Sequence, residues 1–371
     1  MLNILTIVGA RPQIIKAAAL SRCIKNHFAD RVKESILHTG QHYDDNMSRT
    51  FFEELQIPSP AFQLQIDHSN PSRQMADMIK GIDEVLQTRK WDLVILYGDT
   101  NSTFAGAFAA AKAKIPIAHI EAGLRSYDKN MPEELNRIYA DQCAHFLFAP
   151  TQTAIDNLQR EAFEYDPAKK ISINNPSLFL SGDIMYDNAL YFAEMAEKQR
   201  KNPISKPYLL ATIHRDFNTD NAYRLSQIMQ ALQVLAEKEI RVLFPMHPRT
   251  EKCLKNLPDF IPHQNIEICP PLGYLDMLYL EKNADYILTD SGGVQKEAYF
   301  FEKKCIIVRP DTEWTEIVKH GSAMLAQADK NHIVECFHTL KNKNFSHFPN
   351  YFGDGNAAEK IIAHILMNNT L

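Results

Sequence analysis

No Cys-x-x-Cys pair occurs among the six cysteines of this 371-residue chain, Cys23, Cys143, Cys253, Cys269, Cys305 and Cys336, so neither a zinc ribbon nor a dithiol redox motif is written here. Scattered in this way, they read as small core hydrophobes of a protein kept in a reducing compartment. No run of 18 apolar residues is present, and Leu2–Val8 resembles a buried strand without a basic n-region or cleavage site, so a soluble, cytoplasmic protein without a membrane partner is expected. No stretch concentrates Lys and Arg with aromatics, and 40 basic against 45 acidic residues give a net charge of −5, which argues against nucleic acid as the main ligand. None of the 14 histidines forms a convincing metal pair. His119-Ile-Glu121 matches half of a zinc deaminase signature, but its Pro-Cys-x-x-Cys is missing, and no metal is expected. Neither G-x-G-x-x-G nor G-x-x-x-x-G-K-[ST] occurs, which weighs against dinucleotide-binding and P-loop readings. Glycine and proline are few, and no low-complexity tract or fixed-period repeat is found, so polymer-like and solenoid classes fall away.

What is present is alternation. Short β-rich apolar runs, Asn3–Val8, Ser35–Thr39, Leu93–Tyr97, Ile115–Ile120 and His145–Phe148, are separated by helix-compatible stretches. After Lys198–Pro207 the pattern begins again with Tyr208–Ile213, Arg241–Phe244, Ile266–Ile268, Tyr286–Thr289 and Cys305–Val308. Such alternation predicts an α/β protein of two doubly wound halves, each with a parallel sheet buried on both faces, which suits a chain too long for one core. A last segment, Ala357–Met367, has Ile361, Ile362, Ile365 and Leu366 at helical spacing and can pack back on either half.

Ligands of parallel α/β sheets bind beyond the carboxyl ends of the strands. Gly9, Arg11 and Lys16 leave the first strand, Gly98 and Asp99 the third, Glu121, Gly123 and Arg125 the fourth. In the second half His214 and Arg215, His247, Ser291-Gly-Gly293 and Arg309 leave successive strands. Reactive side chains are thus expected at one edge of each sheet, facing a cleft between domains. Thr289–Glu297 is the most informative stretch, since two glycines after a strand let backbone N–H groups approach an anion. It reads as a phosphate or diphosphate seat with Glu297 available to ribose hydroxyls, or as a tight turn with an N-capping serine. Asp99, Glu121 and Glu133 are three acids on successive connections, as proton removal and return require. Asp99 also suits a cap for a helix beginning at Asn101-Ser102, and Glu133 a first helical turn after Pro132. Gln41-His42-Tyr43-Asp44-Asp45 is a polar loop suited to a ligand rim or to ordinary turn chemistry.

With those residues placed, the sequence resembles the non-hydrolysing UDP-N-acetylglucosamine 2-epimerase family along almost its whole length. The motifs, in order, are Gly9-Ala-Arg-Pro-Gln-Ile-Ile-Lys16, Gly40-Gln-His42, Tyr97-Gly-Asp-Thr100, His119-Ile-Glu-Ala-Gly-Leu-Arg125, Pro132-Glu-Glu-Leu-Asn-Arg137, His214-Arg215, His247-Pro248 and Thr289-Asp-Ser-Gly-Gly-Val-Gln-Lys-Glu-Ala298. The resemblance implies a glycosyltransferase-B-like fold of two Rossmann-like domains around a cleft. It implies a first domain over 1–172 carrying the carboxylates, with helix 356–371 available to pack back on it, and a UDP-binding domain over 173–355. It also implies a homodimer, no metal or redox cofactor, and a role in capsule or O-antigen synthesis.

The implied reaction eliminates UDP across C1–C2 of a UDP-2-acetamido sugar, in anti fashion, and adds it back to a 2-acetamidoglycal with C2 inverted. Carried over, Asp99, Glu121, Glu133 and His214 become catalytic, and Arg11, Lys16, His247, Met277, Ser291, Gly292, Gly293, Glu297 and Arg309 bind the UDP sugar. Gln41, His42, Arg73, Gln74 and Arg215 match an activating rim in some relatives. Three departures stand out: Phe217 where many relatives have Glu, Glu313-Trp-Thr-Glu316 in place of Glu-Arg-Pro-Glu, and a short loop over Leu124–Pro132. Trp314 and the Gly40–Met47 stretch look more like the branch acting on modified UDP sugars, such as diacetamido uronates or 6-deoxy sugars. The alternatives are a glycosyltransferase on the same fold and a hydrolysing 2-epimerase.

Overall fold

Parallel pairing orders both sheets of the described residues. The computed structural model describes residues 1–41, 52, 54–200, 204–255 and 261–368. It divides into two units, Met1–Asn188 with Asn350–Leu371, and Ala189–Pro349.

Among the described residues the first unit holds seven strands: β1 (Leu2–Val8), β2 (Val32–His38), β3 (Phe62–Gln63), β4 (Leu93–Tyr97), β5 (Ile117–Ile120), β6 (Phe146–Ala149) and β7 (Ser177–Leu180). Their order is β3-β2-β1-β4-β5-β6-β7, every pair parallel. β1 and β4 are apolar on both faces because crossover helices cover both. Leu5, Ile7, Val94 and Leu96 pack with Met78 and Ile82 of the helix Pro71–Leu86 and with Ala105 and Ala109 of the helix Asn101–Lys112. The small residues of the latter helix let it lie close on the sheet. At Gly106 a methyl group would come within 2.5 Å of Leu96. Each fully buried Leu or Ile contributes about 1.5–3 kcal/mol, so the apolar faces dominate the fold's stability.

The second unit repeats the plan with β8 (Tyr208–Thr212), β9 (Arg241–Pro245), β10 (Ile266–Cys269), β11 (Tyr286–Thr289), β12 (Lys304–Ile307) and β13 (Ala323–Leu325) in the order β10-β9-β8-β11-β12-β13. Leu225, Ile228, Leu232 and Leu235 line one face of the helix Ala222–Lys238 and pack on Leu209 and Ala211. Both orders are the doubly wound 3-2-1-4-5-6 arrangement, so the expected α/β class and its two parallel sheets are met.

The expected division at 172/173 is corrected. β7 hydrogen-bonds β6, which keeps 177–180 in the first sheet, and the helix Ile184–Gln199 then runs from the first unit into the second. The final helix, Ala357–Met367, belongs with the first unit, where Ile361, Ile362 and Ile365 are buried. Asp187 accepts from its first backbone donors, Ala357 N at 3.0 Å and Ala358 N at 2.8 Å. All six cysteines are free thiols. Cys23, Cys143, Cys305 and Cys336 are buried as expected, whereas Cys253 and Cys269 are only partly so. Among the described residues no helix is long and apolar enough to cross a membrane.

Candidate active site

In each sheet the connections diverge where the strand order reverses, between β1 and β4 and between β8 and β11, and such a point opens a crevice beyond the carboxyl ends. In the first unit Gln13 ties the two sides together. Its Oε1 accepts from Gly9 N (2.9 Å) and Ala10 N (3.2 Å), and its Nε2 donates to Tyr97 O and to Thr103 Oγ1, both at 3.0 Å. Gly9 must be glycine, because a methyl there would lie 2.0 Å from Thr39 Oγ1 and 2.1 Å from Ser102 Oγ.

On that frame the carboxylates gather. Asp99 leaves β4, and the alternative of a helix cap is not what the structure contains: Thr100 caps the helix Asn101–Lys112 by accepting from Thr103 N. Asp99 instead pairs with Arg137 and keeps a third of its side chain exposed. Burial pushes its carboxyl above the ordinary range. Arg137 and Lys16 oppose that shift, while Glu121 and Glu133 add to it. These four charged groups therefore act on Asp99 from one neighbourhood. Glu121, leaving β5, pairs with Lys16. Its backbone is left-handed, φ 73°, an arrangement costly for a non-glycine residue and held by Glu121 N and Ala122 N, both donating to Phe148 O at 3.1 Å. Gly98 lies beneath this pair. A methyl there would be 3.0 Å from Lys16 Nζ and 3.1 Å from Glu121 Oε2. Glu133 is exposed in the first turn of the helix Pro132–Cys143, as expected, while Glu134 faces inward and accepts from Ser126 N and Tyr127 N at 2.9 Å.

Behind the site, His119 Nδ1 meets Asp141 at 2.6 Å, and Nε2 meets Gly98 O at 2.8 Å. If Asp141 is ionised, each ring nitrogen faces an acceptor, so this buried histidine anchors the turn that carries Asp99. Arg125 bridges Asp141 and Glu161.

In the second unit a buried carboxylate organises the turn after β8. Asp290 accepts from His214 N (3.1 Å), Arg215 N (3.0 Å) and Asn218 Nδ2 (3.1 Å). His214 is half-exposed, and its ring centre lies 5.9 Å from that of His247. Burial lowers the His214 pKa. Asp290 opposes that shift, and Arg215 and His247 reinforce it, so the surroundings favour the neutral ring. His247 caps the helix Pro248–Leu254, its Nδ1 accepting from Arg249 N at 3.2 Å, which in the neutral ring leaves the proton on Nε2.

Ser291 precedes the helix Gly292–Phe300 but makes no side-chain cap, so the capping alternative is not what the structure contains. Gly292 and Gly293 have ordinary backbone angles, and added methyl groups would meet nothing closer than 3.8 Å. The fold itself does not require glycine there, unlike at Gly9. Tyr274 OH donates to Glu297 at 3.2 Å, and Glu297 adjoins the buried Glu281. Burial first, and then Glu297, pushes the Glu281 carboxyl well above the usual range. Arg309 leaves β12 and meets Glu313 through both Nη atoms at 3.2 Å.

The remaining expected residues are less central. Arg11 opens the helix Arg11–His27 with an exposed side chain, and Met277 is half-buried on the helix Tyr274–Asn283. Gln41 accepts from Ser102 N at 3.0 Å and Ser102 Oγ at 2.7 Å. Arg73 pairs at 3.8 Å with Asp67, Gln74 meets His68 at 3.1 Å, and Arg215 is exposed. His42 and the rest of its polar loop through Asp45 lie outside the described residues. Sequence reading assigned no role to Gln13, Asn136, Arg137, Asn218, Tyr274 or Asp290. The spacing of Asn136 and Arg137 from Glu133, three and four residues on one helical face, was the available signal for those two. Among the described residues no group of three or more His, Cys, Asp or Glu is placed to hold a metal ion.

The family model described as UDP-N-acetylglucosamine 2-epimerase matches residues 25–366. A Methanococcus maripaludis protein named as a homolog of that enzyme is 44% identical over 371 residues, covering 97% of this chain and 98% of its own. The UDP-2,3-diacetamido-2,3-dideoxy-D-glucuronate 2-epimerase of Pseudomonas aeruginosa is 43% identical, with 98% and 99% covered. The crystal structure of Methanocaldococcus jannaschii UDP-GlcNAc 2-epimerase in complex with UDP-GlcNAc and UDP is similar to this chain at 38% identity and a TM-score of 0.85, covering 99% of this chain and all of the other.

Proposed function

The chain belongs to the UDP-N-acetylglucosamine 2-epimerase family and is a UDP-sugar 2-epimerase, and from that premise we propose that it inverts C2 of a modified UDP-2-acetamido sugar without releasing free sugar. The observation that carries the chemistry is the convergence on Asp99, at the end of β4, of Glu121, Glu133 and Lys16, with Glu121 paired to Lys16. One carboxyl pushed towards its protonated form beside another with a lysine counter-charge suits a reaction that both takes and returns a proton.

The C1–O bond to diphosphate breaks with its electron pair leaving on UDP, the C2 proton passes to a carboxylate, and a C1–C2 double bond forms. The reverse step delivers a proton to the opposite face of C2 while diphosphate returns to C1. The C2 proton is only feebly acidic, so UDP departure leads, and stabilising the leaving diphosphate does most to lower the barrier. Ser291, the two glycines, Arg309, Arg11 and His214 are the groups assigned to it, with Glu297 for the ribose hydroxyls and His247 and Met277 beside the nucleotide. The open space above Gly292 and Gly293 supports that seat. The 43% identity with an enzyme named for a diacetamido uronate, together with Trp314, favours a modified sugar. A homodimer working in the cytoplasm is the assembly expected, and Gln41, His42, Arg73, Gln74 and Arg215 are assigned to an activating rim.

The test is NMR of UDP-N-acetylhexosamines in D₂O. Deuterium at C2 in an intact epimeric nucleotide sugar is expected, whereas UDP plus free sugar would mean the hydrolysing reaction. Glu121→Gln and His214→Ala are expected to keep UDP binding and lose about 10²–10⁴-fold in turnover. Wild-type rates from either would remove that residue from the mechanism.

A further inference from the structure

Glu316 is a buried carboxylate, 8% exposed, and neither of its oxygens has a hydrogen-bond partner among the described residues. Such a group costs free energy in the folded chain, and in a native structure it calls for an explanation. Gln295, fully buried, is similar: its Oε1 accepts from Thr312 Oγ1 at 2.6 Å, while its Nε2 has no partner among the described residues. Exchanging the two ends of that amide would only move the unmet position from nitrogen to oxygen.

The two residues are connected through one segment. Thr312 Oγ1, besides donating to Gln295, accepts from Trp314 N at 3.2 Å, and Trp314 begins the short helix Thr315–His320 that carries Glu316. That same Trp314 faces the proposed diphosphate seat. Its Nε1 and Arg309 Nη1 each lie 3.8 Å from where a methyl on Gly292 would be. Lys296 Nζ stands 4.3 Å from the centre of the Trp314 ring, a cation–π contact that helps hold the indole in place.

Resting on the epimerase reading above, we propose that Glu316 and Gln295 are the residues that recognise the sugar ring of the UDP sugar. Glu316 accepts from a ring hydroxyl or an acetamido N–H, and the Gln295 amide takes the complementary group. A carboxylate beside an amide matches vicinal hydroxyl or acetamido substituents, which offer a donor and an acceptor together. Trp314, beside the glycine turn and next in sequence to the helix that carries Glu316, sets the distance from diphosphate to sugar. The unmet hydrogen bonds of the free protein are then satisfied on binding, and the cost they impose on the fold is the source of discrimination, because a sugar lacking the matching group leaves them unmet.

The test uses the full chain with UDP, UDP-N-acetylglucosamine and UDP-2,3-diacetamido-2,3-dideoxy-glucuronate, and the variants Glu316→Gln and Glu316→Met. Both variants are expected to keep or raise the melting temperature and to leave the Kd for UDP within about twofold. They should raise Kd and KM for whichever UDP sugar the wild type turns over by about 10- to 100-fold. A lower melting temperature with unchanged sugar affinity would make Glu316 a structural residue and overturn the proposal. Equal weakening of UDP and UDP sugars would do the same by moving its contact to the nucleotide. Absence of C2 exchange in the wild type would refute epimerisation of these sugars, while the ratio of UDP-sugar to UDP affinity, compared between wild type and variants, still decides the role of Glu316.

Discussion

At the scale of single residues, the glycines separate what the fold needs from what a ligand needs. Gly9 is demanded by its neighbours: a methyl would strike the hydroxyls of Thr39 and Ser102 at 2.0 and 2.1 Å. Gly9→Ala should therefore destabilise the protein by about 1–3 kcal/mol, read as a fall in melting temperature. Gly292→Ala meets no obstacle within 3.8 Å and lies at the start of a helix, so its melting temperature should stay within about 2 °C of wild type. Its UDP affinity should fall by about tenfold or more as the methyl occupies the anion's approach. Unchanged affinity in calorimetric titration would mean that the diphosphate sits elsewhere. Legibility was uneven at this scale. Asp99, Glu121, His214 and Ser291 stood out because they are polar residues directly after apolar strands. Gln13 and Asp290 did not, although both organise the strand exits, because their partners are backbone groups of turns that form only when the sheet does.

At the scale of elements, a buried ion network fastens the exit of β5 to the helix Pro132–Cys143. Asp141, on the helix Pro132–Cys143, holds both His119 and Arg125. Burial opposes ionisation there, but the two partners outweigh it and keep the Asp141 carboxyl below the usual range. A depressed folded-state value adds stability that is present above the unfolded value of 3.8 and lost as pH falls through the folded one. Asp141→Asn should cost about 3–5 kcal/mol near neutral pH, since Arg125 is left buried with one partner fewer. Scanning calorimetry should also show less acid-induced loss in the variant than in wild type, and parallel pH curves would contradict the assignment. The elements that sequence reading missed, β3, β7 and β13, all lie at sheet edges. Edge strands here are two to four residues long and half-buried, so the apolar run that marks β1 or β4 never develops.

Across the whole molecule, the chain leaves the first unit through the helix Ile184–Gln199 and returns to it at Asn350. Asp187 secures that return by accepting from the first turn of the final helix, and burial raises its pKa to about 6. A raised carboxyl contributes stability that is complete below its unfolded value of 3.8 and is lost as pH rises through about 6. Asp187→Asn keeps an acceptor without the charge. The difference in melting temperature between wild type and this variant should therefore move against the wild type from about pH 4 to pH 6.5 and level off above. A constant difference over that range would show that Asp187 does not titrate there.

The sequence by itself determined the class of both sheets and the edge at which reactive side chains leave them. Strand and helix periodicities are local, and a parallel strand followed by a crossover always delivers its next polar residue to the same end. Tertiary structure alone decided which unit receives the final helix, that β7 closes the first sheet, and that Arg137 and Lys16 stand against Asp99 and Glu121. It also decided that Glu316 is left without a partner among the described residues. Those outcomes depend on contacts between residues distant in the chain, whose energies arise only when packing brings them within reach and removes them from water.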